Sequence, residues 1–222
     1  MTATLAGLLD FLEDKVLIDL GPLDRRRVLE LGARSDAFTN LLLGAGADLV
    51  CAGSDNGRSS SSPEDAEFVR VDLNERDFAH EIDGPFELIV AIDVIEHLES
   101  PLGFLRNVRA LLHDHGRVVV TTPSADNLVS RLRFLATGQL RGAADDDPGR
   151  ISPLPSWNFE QRLLPRAGLV LERRLEYPPD GFAPRPGWKR RLARSAGPVL
   201  AGIGLAADID VYIFGPGPTA SP

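Results

Sequence analysis

The chain has 222 residues, enough for one large domain that buries a core without a metal or disulfide staple. Its 24 Lys and Arg against 32 Asp and Glu give a net charge of −8, which excludes a general nucleic-acid binder with a basic footprint. The single cysteine, Cys51, excludes an internal disulfide and a multi-cysteine metal centre, and a reducing, cytoplasmic location is expected. The opening MTATLAGLLDFLEDK carries Asp10, Glu13 and Asp14 without a basic start, unlike a secretion signal. The longest weakly polar run, residues 195–207, is too short for a bilayer and is interrupted by Gly197, Pro198, Gly202 and Gly204.

An amphipathic helix is expected at residues 4–17, inside an N-terminal helical segment 1–24. Short runs rich in Val, Ile and Leu follow at 27–32, 48–53, 67–73, 86–92 and 117–122, and read as strands. Their near-continuous hydrophobicity predicts a sheet covered on both faces. Helix-period segments at 37–44, 75–81 and 102–113 separate them. In the last of these Phe104, Leu105, Val108, Leu111 and Leu112 form an apolar stripe. Residues 54–64 (SDNGRSSSSPE) read as a polar loop. Helices are expected at 125–135, with Leu128, Leu132 and Leu135 on one face, and at 156–167. Between them lies a loop with Asp145, Asp146 and Asp147. Two further strands are read at 169–177 and 209–214, and residues 216–222 as a disordered tail. Strand–helix alternation of this size specifies an α/β fold with a mostly parallel, doubly wound sheet.

In such a sheet ligands bind at the carboxyl ends of the strands. The loops to search therefore begin at Glu30, at Asp93 and at Thr121. His113 and His115 flank the turn before the fifth strand, at the opposite end, and read as solvated. Two histidines without a third ligand make no zinc site, so no metal is expected.

Residues 86–124, FELIVAIDVIEHLESPLGFLRNVRALLHDHGRVVVTTPS, carry a resemblance to a known family. They are similar to the fourth strand, acidic-and-histidine loop, helix and fifth strand of the class I S-adenosylmethionine-dependent methyltransferases. The branch most resembled acts on small molecules, quinones and glycan or lipid precursors. Residues 28–39 resemble the family's first motif, Phe68 to Leu73 its third strand, and 147–172 a stretch beyond the fifth strand. The resemblance spans roughly residues 25–215 and implies a Rossmann-like seven-stranded sheet with helices on both faces and an antiparallel last strand. It also implies S-adenosylmethionine as cofactor and a small-molecule, glycan or lipid-linked acceptor. Glu30, Gly32, Ala33 and Arg34 would then line the methionine end. Gly53 and Asp55 would stand at the ribose, Asp72 and Leu73 at the adenine, and Ile92, Asp93 and Val94, as far as His97, at the reaction centre.

The first motif departs from the family's acid-x-Gly-x-Gly-x-Gly. Glu30 and Gly32 match, but Arg34 and Asp36 occupy the next two glycine positions. Asp36 reads instead as a helix N-cap. The family's ribose-holding acid falls at Gly53, and Asp55 replaces it only if the loop at 54–62 folds inward. Several residues keep two readings. Glu30 and Gly32 are cofactor contacts or an ordinary turn; Asp72 is an adenosine contact or a cap. His97 is a general base or a histidine packed beside the cofactor, since transfer from an activated sulfonium requires no base. Trp157 is a substrate wall or core, and Arg150 an anion holder or a surface residue. Cys51 reads as a small core residue.

Segments 125–160 and 178–207 are the candidates for substrate choice. Arg185, Lys189, Arg190, Arg191 and Arg194, interleaved with Phe182, Trp188 and Leu192, precede the apolar 199–207. This stretch is a candidate peripheral contact with an anionic membrane or lipid-linked acceptor, or a solvated helix. Two rival functions stand beside methyl transfer. One is a scaffold subunit with a decayed cofactor site; the other, a nicotinamide-dependent oxidoreductase, lacks its glycine fingerprint. Nothing in the sequence sets an oligomeric state.

Overall fold

A computed structural model describes residues 3–33, 36–54, 66–139, 148–179 and 207–218. Helix α1 (residues 3–20) widens into a π-helical turn at Glu13–Leu17. Leu8, Leu12, Val16 and Leu20 recur every fourth position, and all four are buried. The remaining elements are β1 (Arg27–Leu31), α2 (Asp36–Gly44), β2 (Asp48–Gly53), β3 (Glu67–Arg70), β4 (Phe86–Ile92), α3 (Pro101–Leu111), β5 (Leu112–Pro123), α4 (Leu128–Thr137), α5 (residues 156–166), β6 (Leu169–Tyr177) and β7 (Ile209–Pro216).

The seven strands form one sheet in the order β3-β2-β1-β4-β5-β7-β6. All pairs are parallel except those of β7, which runs antiparallel to both β5 and β6. This is the doubly wound, Rossmann-like α/β sheet that the sequence predicts. Successive strand residues point to opposite faces, and the core divides accordingly. Val28, Leu88 and Val90 pack with α1 and α2 on one face, while Leu29 and Ile89 pack with Phe104 of α3 and Phe159 of α5 on the other.

Several boundaries differ from the sequence reading, among them the third strand, which ends at Arg70 rather than Leu73, and four have a clear local reason. The helix expected at 75–81 shrinks to a single tight turn, Phe78–Glu81. Asn107 of α3 accepts from Ala79 N–H at 2.9 Å and donates to the Arg76 carbonyl at 2.9 Å, taking backbone groups a longer helix would pair. Strand β5 begins at Leu112, inside the expected helix. Its pairing jumps from Phe86↔Leu112 to Leu88↔Arg117, so His113 and His115 are carried out on an exposed bulge. Helix α4 starts at Leu128, three residues after the expected 125, because Asn127 caps it by accepting from Ser130 N–H at 2.8 Å. The last strand continues to Pro216, and Gly217 N–H donates to the Gly168 carbonyl at 2.8 Å. The tail read at 216–222 is corrected there: Pro216 belongs to the sheet because β6 supplies a pairing edge.

Candidate functional site

Strand order reverses between β1 and β4, and the crevice outside their carboxyl ends is where an α/β sheet takes a ligand. Two glycines shape that crevice. Gly32 closes β1 at φ +71°, donating its N–H to the Ala52 carbonyl at 2.7 Å. A Cβ there would stand 2.6 Å from Cγ2 of Val94, so glycine lets the loop after β4 lean on the loop after β1. Gly53 ends β2 facing it, with a notional Cβ 3.5 Å from the Gly32 Cα. No side chain of these two residues stands between the ends of β1 and β2.

Glu30 is buried, and its Oε2 accepts from Thr39 Oγ1 at 2.7 Å and from Cys51 Sγ at 3.7 Å. The carboxylate thus ties β1 to α2 and β2 and holds the strand end that presents Gly32. Cys51 is a buried core residue. Ala33 is half-buried against the α1–α2 side of the core. Arg34 and Asp55 lie outside the described residues, as do the loops at 55–65 and 140–147 and the basic stretch 185–194. Helix α2 begins at Asp36.

The loop after β4 is held from the neighbouring strand. Asp93 adopts φ +51°, a conformation costly for a side chain with a Cβ. The hydroxyl of Thr121, fully buried on β5, accepts from Asp93 N–H at 3.0 Å and donates to Asp93 Oδ1 at 3.0 Å. A tight turn at Ile95–His97 follows, where His97 N–H donates to the Val94 carbonyl at 2.9 Å. Val94 is buried, whereas Ile92, Asp93 and His97 are half-buried. Leu73 joins the core beneath, and Asp72 is exposed, with Oδ1 accepting from Asn74 N–H at 2.9 Å to cap its own turn. The crevice therefore gathers Gly32, Gly53, Ile92, Asp93, Val94 and His97, while the described contacts of Glu30 and Asp72 are to their own scaffolding.

Sequence reasoning passed over Glu96. This residue is 2% exposed, and desolvation together with the nearby Asp93 charge pushes its carboxyl up to about 8. Arg150 stands 3.7 Å from its Oε1, and with the Thr122 hydroxyl opposes the rise only in part. The segment carrying Arg150 is strapped to the same loop: Ser152 N–H donates to the Glu96 carbonyl at 2.9 Å and Ser152 Oγ to the Leu98 carbonyl. Arg150 is thus neither a bare surface residue nor free for an anion. Trp157 is 61% exposed with the Arg162 guanidinium 5.1 Å above its ring, which excludes the core reading.

A second polar group lies on the α5 side of the same sheet edge. Arg174 on β6 donates from Nε and Nη2 to Oδ1 of the fully buried Asp210 on β7, at 3.2 and 2.8 Å. It also approaches Glu160 of α5 at 3.7 Å and Glu176 at 3.5 Å. Burial raises the Asp210 carboxyl and Arg174 opposes it. The one sequence signal for Asp210 was a carboxylate in an otherwise apolar run, IDVYIF. Among the described residues no group of three or more His, Cys, Asp or Glu is placed to hold a metal ion. Among the same residues no helix is long and apolar enough to cross a membrane.

Comparison with known proteins agrees with this geometry. The family model of the methyltransferase domain matches residues 3–172. A methyltransferase from Mesorhizobium loti, dependent on S-adenosylmethionine, has a similar fold at TM-score 0.58 and 16% identity, covering 93% of this chain and 99% of its own. A methyltransferase from Archaeoglobus fulgidus, dependent on the same cofactor, is similar at TM-score 0.60 and 13% identity, covering 93% of both chains. The magnesium protoporphyrin IX methyltransferase of Synechocystis, solved with S-adenosylhomocysteine, is similar at TM-score 0.59 and 13% identity, covering 95% of this chain and 84% of its own. No curated protein matches the chain. The chain belongs to the methyltransferase-domain family, and its fold is that of methyltransferases dependent on S-adenosylmethionine. Among the described residues, the bare backbone at Gly32 and Gly53 is compatible with the close approach of such a cofactor.

Proposed function

We propose that the protein transfers a methyl group from S-adenosylmethionine to a small-molecule, glycan or lipid-precursor acceptor at the crevice between β1 and β4. The observation that carries this reading is the Asp93 loop, clasped by Thr121 and laid against Gly32 at the point where strand order reverses. The cofactor supplies a methyl already activated on a sulfonium sulfur. The chain's task is then to hold two molecules in line and keep water away, and orientation of this kind supplies much of a displacement's rate. Gly32 and Gly53 leave backbone bare at the strand ends; Ile92, Val94 and Leu73 offer apolar walls; Asp93 and His97 bring polar groups to the half-buried rim. His97 is the candidate to take the proton of an O–H or N–H acceptor.

The acceptor enters this reading as a small or lipid-linked molecule, with residues 185–207 as a candidate contact to a membrane surface. The single cysteine, buried on β2, supports a cytoplasmic location. Calorimetric titration of the purified protein with S-adenosylmethionine and S-adenosylhomocysteine tests the proposal. Micromolar binding of either is expected, and an absence of heat at millimolar ligand would overturn it in favour of a scaffold role.

A further inference from the structure

The tight turn after β4 uses some of its own backbone groups and leaves others to be met from outside. His97 N–H donates to the Val94 carbonyl at 2.9 Å, and Leu98 N–H to the Ile95 carbonyl at 3.3 Å. The carbonyls of Glu96 and Leu98, one on each side of His97, are not used by the turn, and backbone carbonyls away from water require a donor. Both go to one residue. Ser152 N–H donates to the Glu96 carbonyl at 2.9 Å, and Ser152 Oγ to the Leu98 carbonyl at 2.6 Å, across 54 positions of sequence. The strap that carries Ser152 alternates in burial as an extended segment does. Arg150 reaches to 3.7 Å from Glu96 Oε1, and Leu154 is buried in the same core cluster as Ile95 and Leu98. Ile151 and Pro153, between them, are exposed. The strap is thus held at three points, and the middle one brackets His97.

We infer that Ser152 is a positioning residue for His97, gripping the main chain on both sides of it so that the imidazole stays at the rim of the crevice where an acceptor's proton is taken. The inference rests on the methyltransferase reading and deepens it. A base works only within hydrogen-bond reach of the proton, about 2.6–3.2 Å, and a misplacement of about 1 Å can cost about 100-fold in rate. A turn of three residues, Ile95–His97, is too short to hold such a position by itself. Two holds from other elements supply what it lacks. Ser152 takes the carbonyls of Glu96 and Leu98, and Asn74 Oδ1 accepts from Glu99 N–H at 2.9 Å, fixing the chain just beyond. Ser152 also lies within the stretch 125–160 that the sequence marks for acceptor choice. The segment that meets the acceptor therefore sets the base that acts on it.

The test reads His97 directly, because the chain has only four histidines, His80, His97, His113 and His115. Diethyl pyrocarbonate is applied to the full chain saturated with S-adenosylhomocysteine, and the carbethoxylation rate of each imidazole is followed by peptide mass spectrometry. Ser152→Ala keeps the N–H bond to Glu96 and removes the hydroxyl bond to Leu98; Ser152→Thr keeps both. The rate at His97 is expected to rise about threefold or more in Ser152→Ala, the worth of one hydrogen bond. It should return to the parent's value in Ser152→Thr, with the other three histidines unmoved in both variants. A merely structural role predicts instead a lower melting temperature with the His97 rate unchanged, and that result overturns the inference, as does an equal rise at all four histidines. Should Ser152→Ala fail to fold, Ser152→Cys keeps the bulk with a weaker donor and carries the same expectations. An unmoved His97 in a protein that still binds S-adenosylhomocysteine overturns the role of Ser152 alone, whereas failure of the parent to bind S-adenosylhomocysteine overturns the underlying reading.

Discussion

Thr121 holds Asp93 in a backbone conformation that Asp93 would not choose by itself. Its hydroxyl makes two hydrogen bonds to that one residue, and both are lost in Thr121→Val, which keeps shape but not polarity. The variant is expected to lose about 1–3 kcal/mol of stability in denaturant unfolding and to bind S-adenosylhomocysteine more weakly, while Thr121→Ser retains both. Equal behaviour of the two variants would remove Thr121 from the site's support. Gly32, unlike Thr121, has no conservative substitute. Gly32→Ala combines φ +71° with a Cβ 2.6 Å from Val94 Cγ2, so the loop after β4 must shift. Its expected signature is a cofactor affinity at least roughly tenfold lower, equivalent to 1.4 kcal/mol; unchanged binding would show that Val94 need not touch this turn.

The elements differ in how far each depends on its own sequence. Helix α5 is short, with a π-helical stretch at Phe159–Leu163, and tertiary contact holds it. Phe159 is fully buried, its ring 4.5 Å from Tyr212 and 6.0 Å from Phe214. Phe159→Ala should therefore cost about 3–5 kcal/mol in denaturant unfolding; a loss under about 1 kcal/mol would mean that α5 is anchored elsewhere. Elements with a strong pattern of their own were legible. All seven strands were found, because continuous runs such as FELIVAI have few alternatives to a doubly covered strand. The boundaries moved where a distant side chain intervened. Asn107, 28 positions from Ala79 in sequence, shortened one helix; Asn127, which donates to the Ala207 carbonyl at 2.9 Å, delayed another.

At the scale of the whole molecule, buried carboxyl groups couple stability to pH. Glu96 titrates near 8 when folded against 4.5 as its ordinary value, so the folded state binds the proton more tightly. Below pH 4.5 both states hold that proton; as pH rises toward 8 the unfolded chain releases it first, and stability falls by at most about 1.4 kcal/mol per pH unit from this group. Glu160, Glu176 and Asp210 are raised as well and add in the same direction. Glu96→Gln should therefore gain stability over the parent progressively between pH 4.5 and 8, read as the difference in melting temperature across that range. A difference that does not change with pH would show that Glu96 is ionised throughout. The sequence alone determined the sheet and its doubly wound character, because local hydrophobic runs and their order along the chain encode these. The burial of Glu96, the clasp at Thr121 and the pairing of Arg174 with Asp210 were decided only by the tertiary structure. Burial, strand register and contacts between residues as distant as Arg174 and Asp210 bring these polar side chains together, and none of these is a property of neighbouring letters.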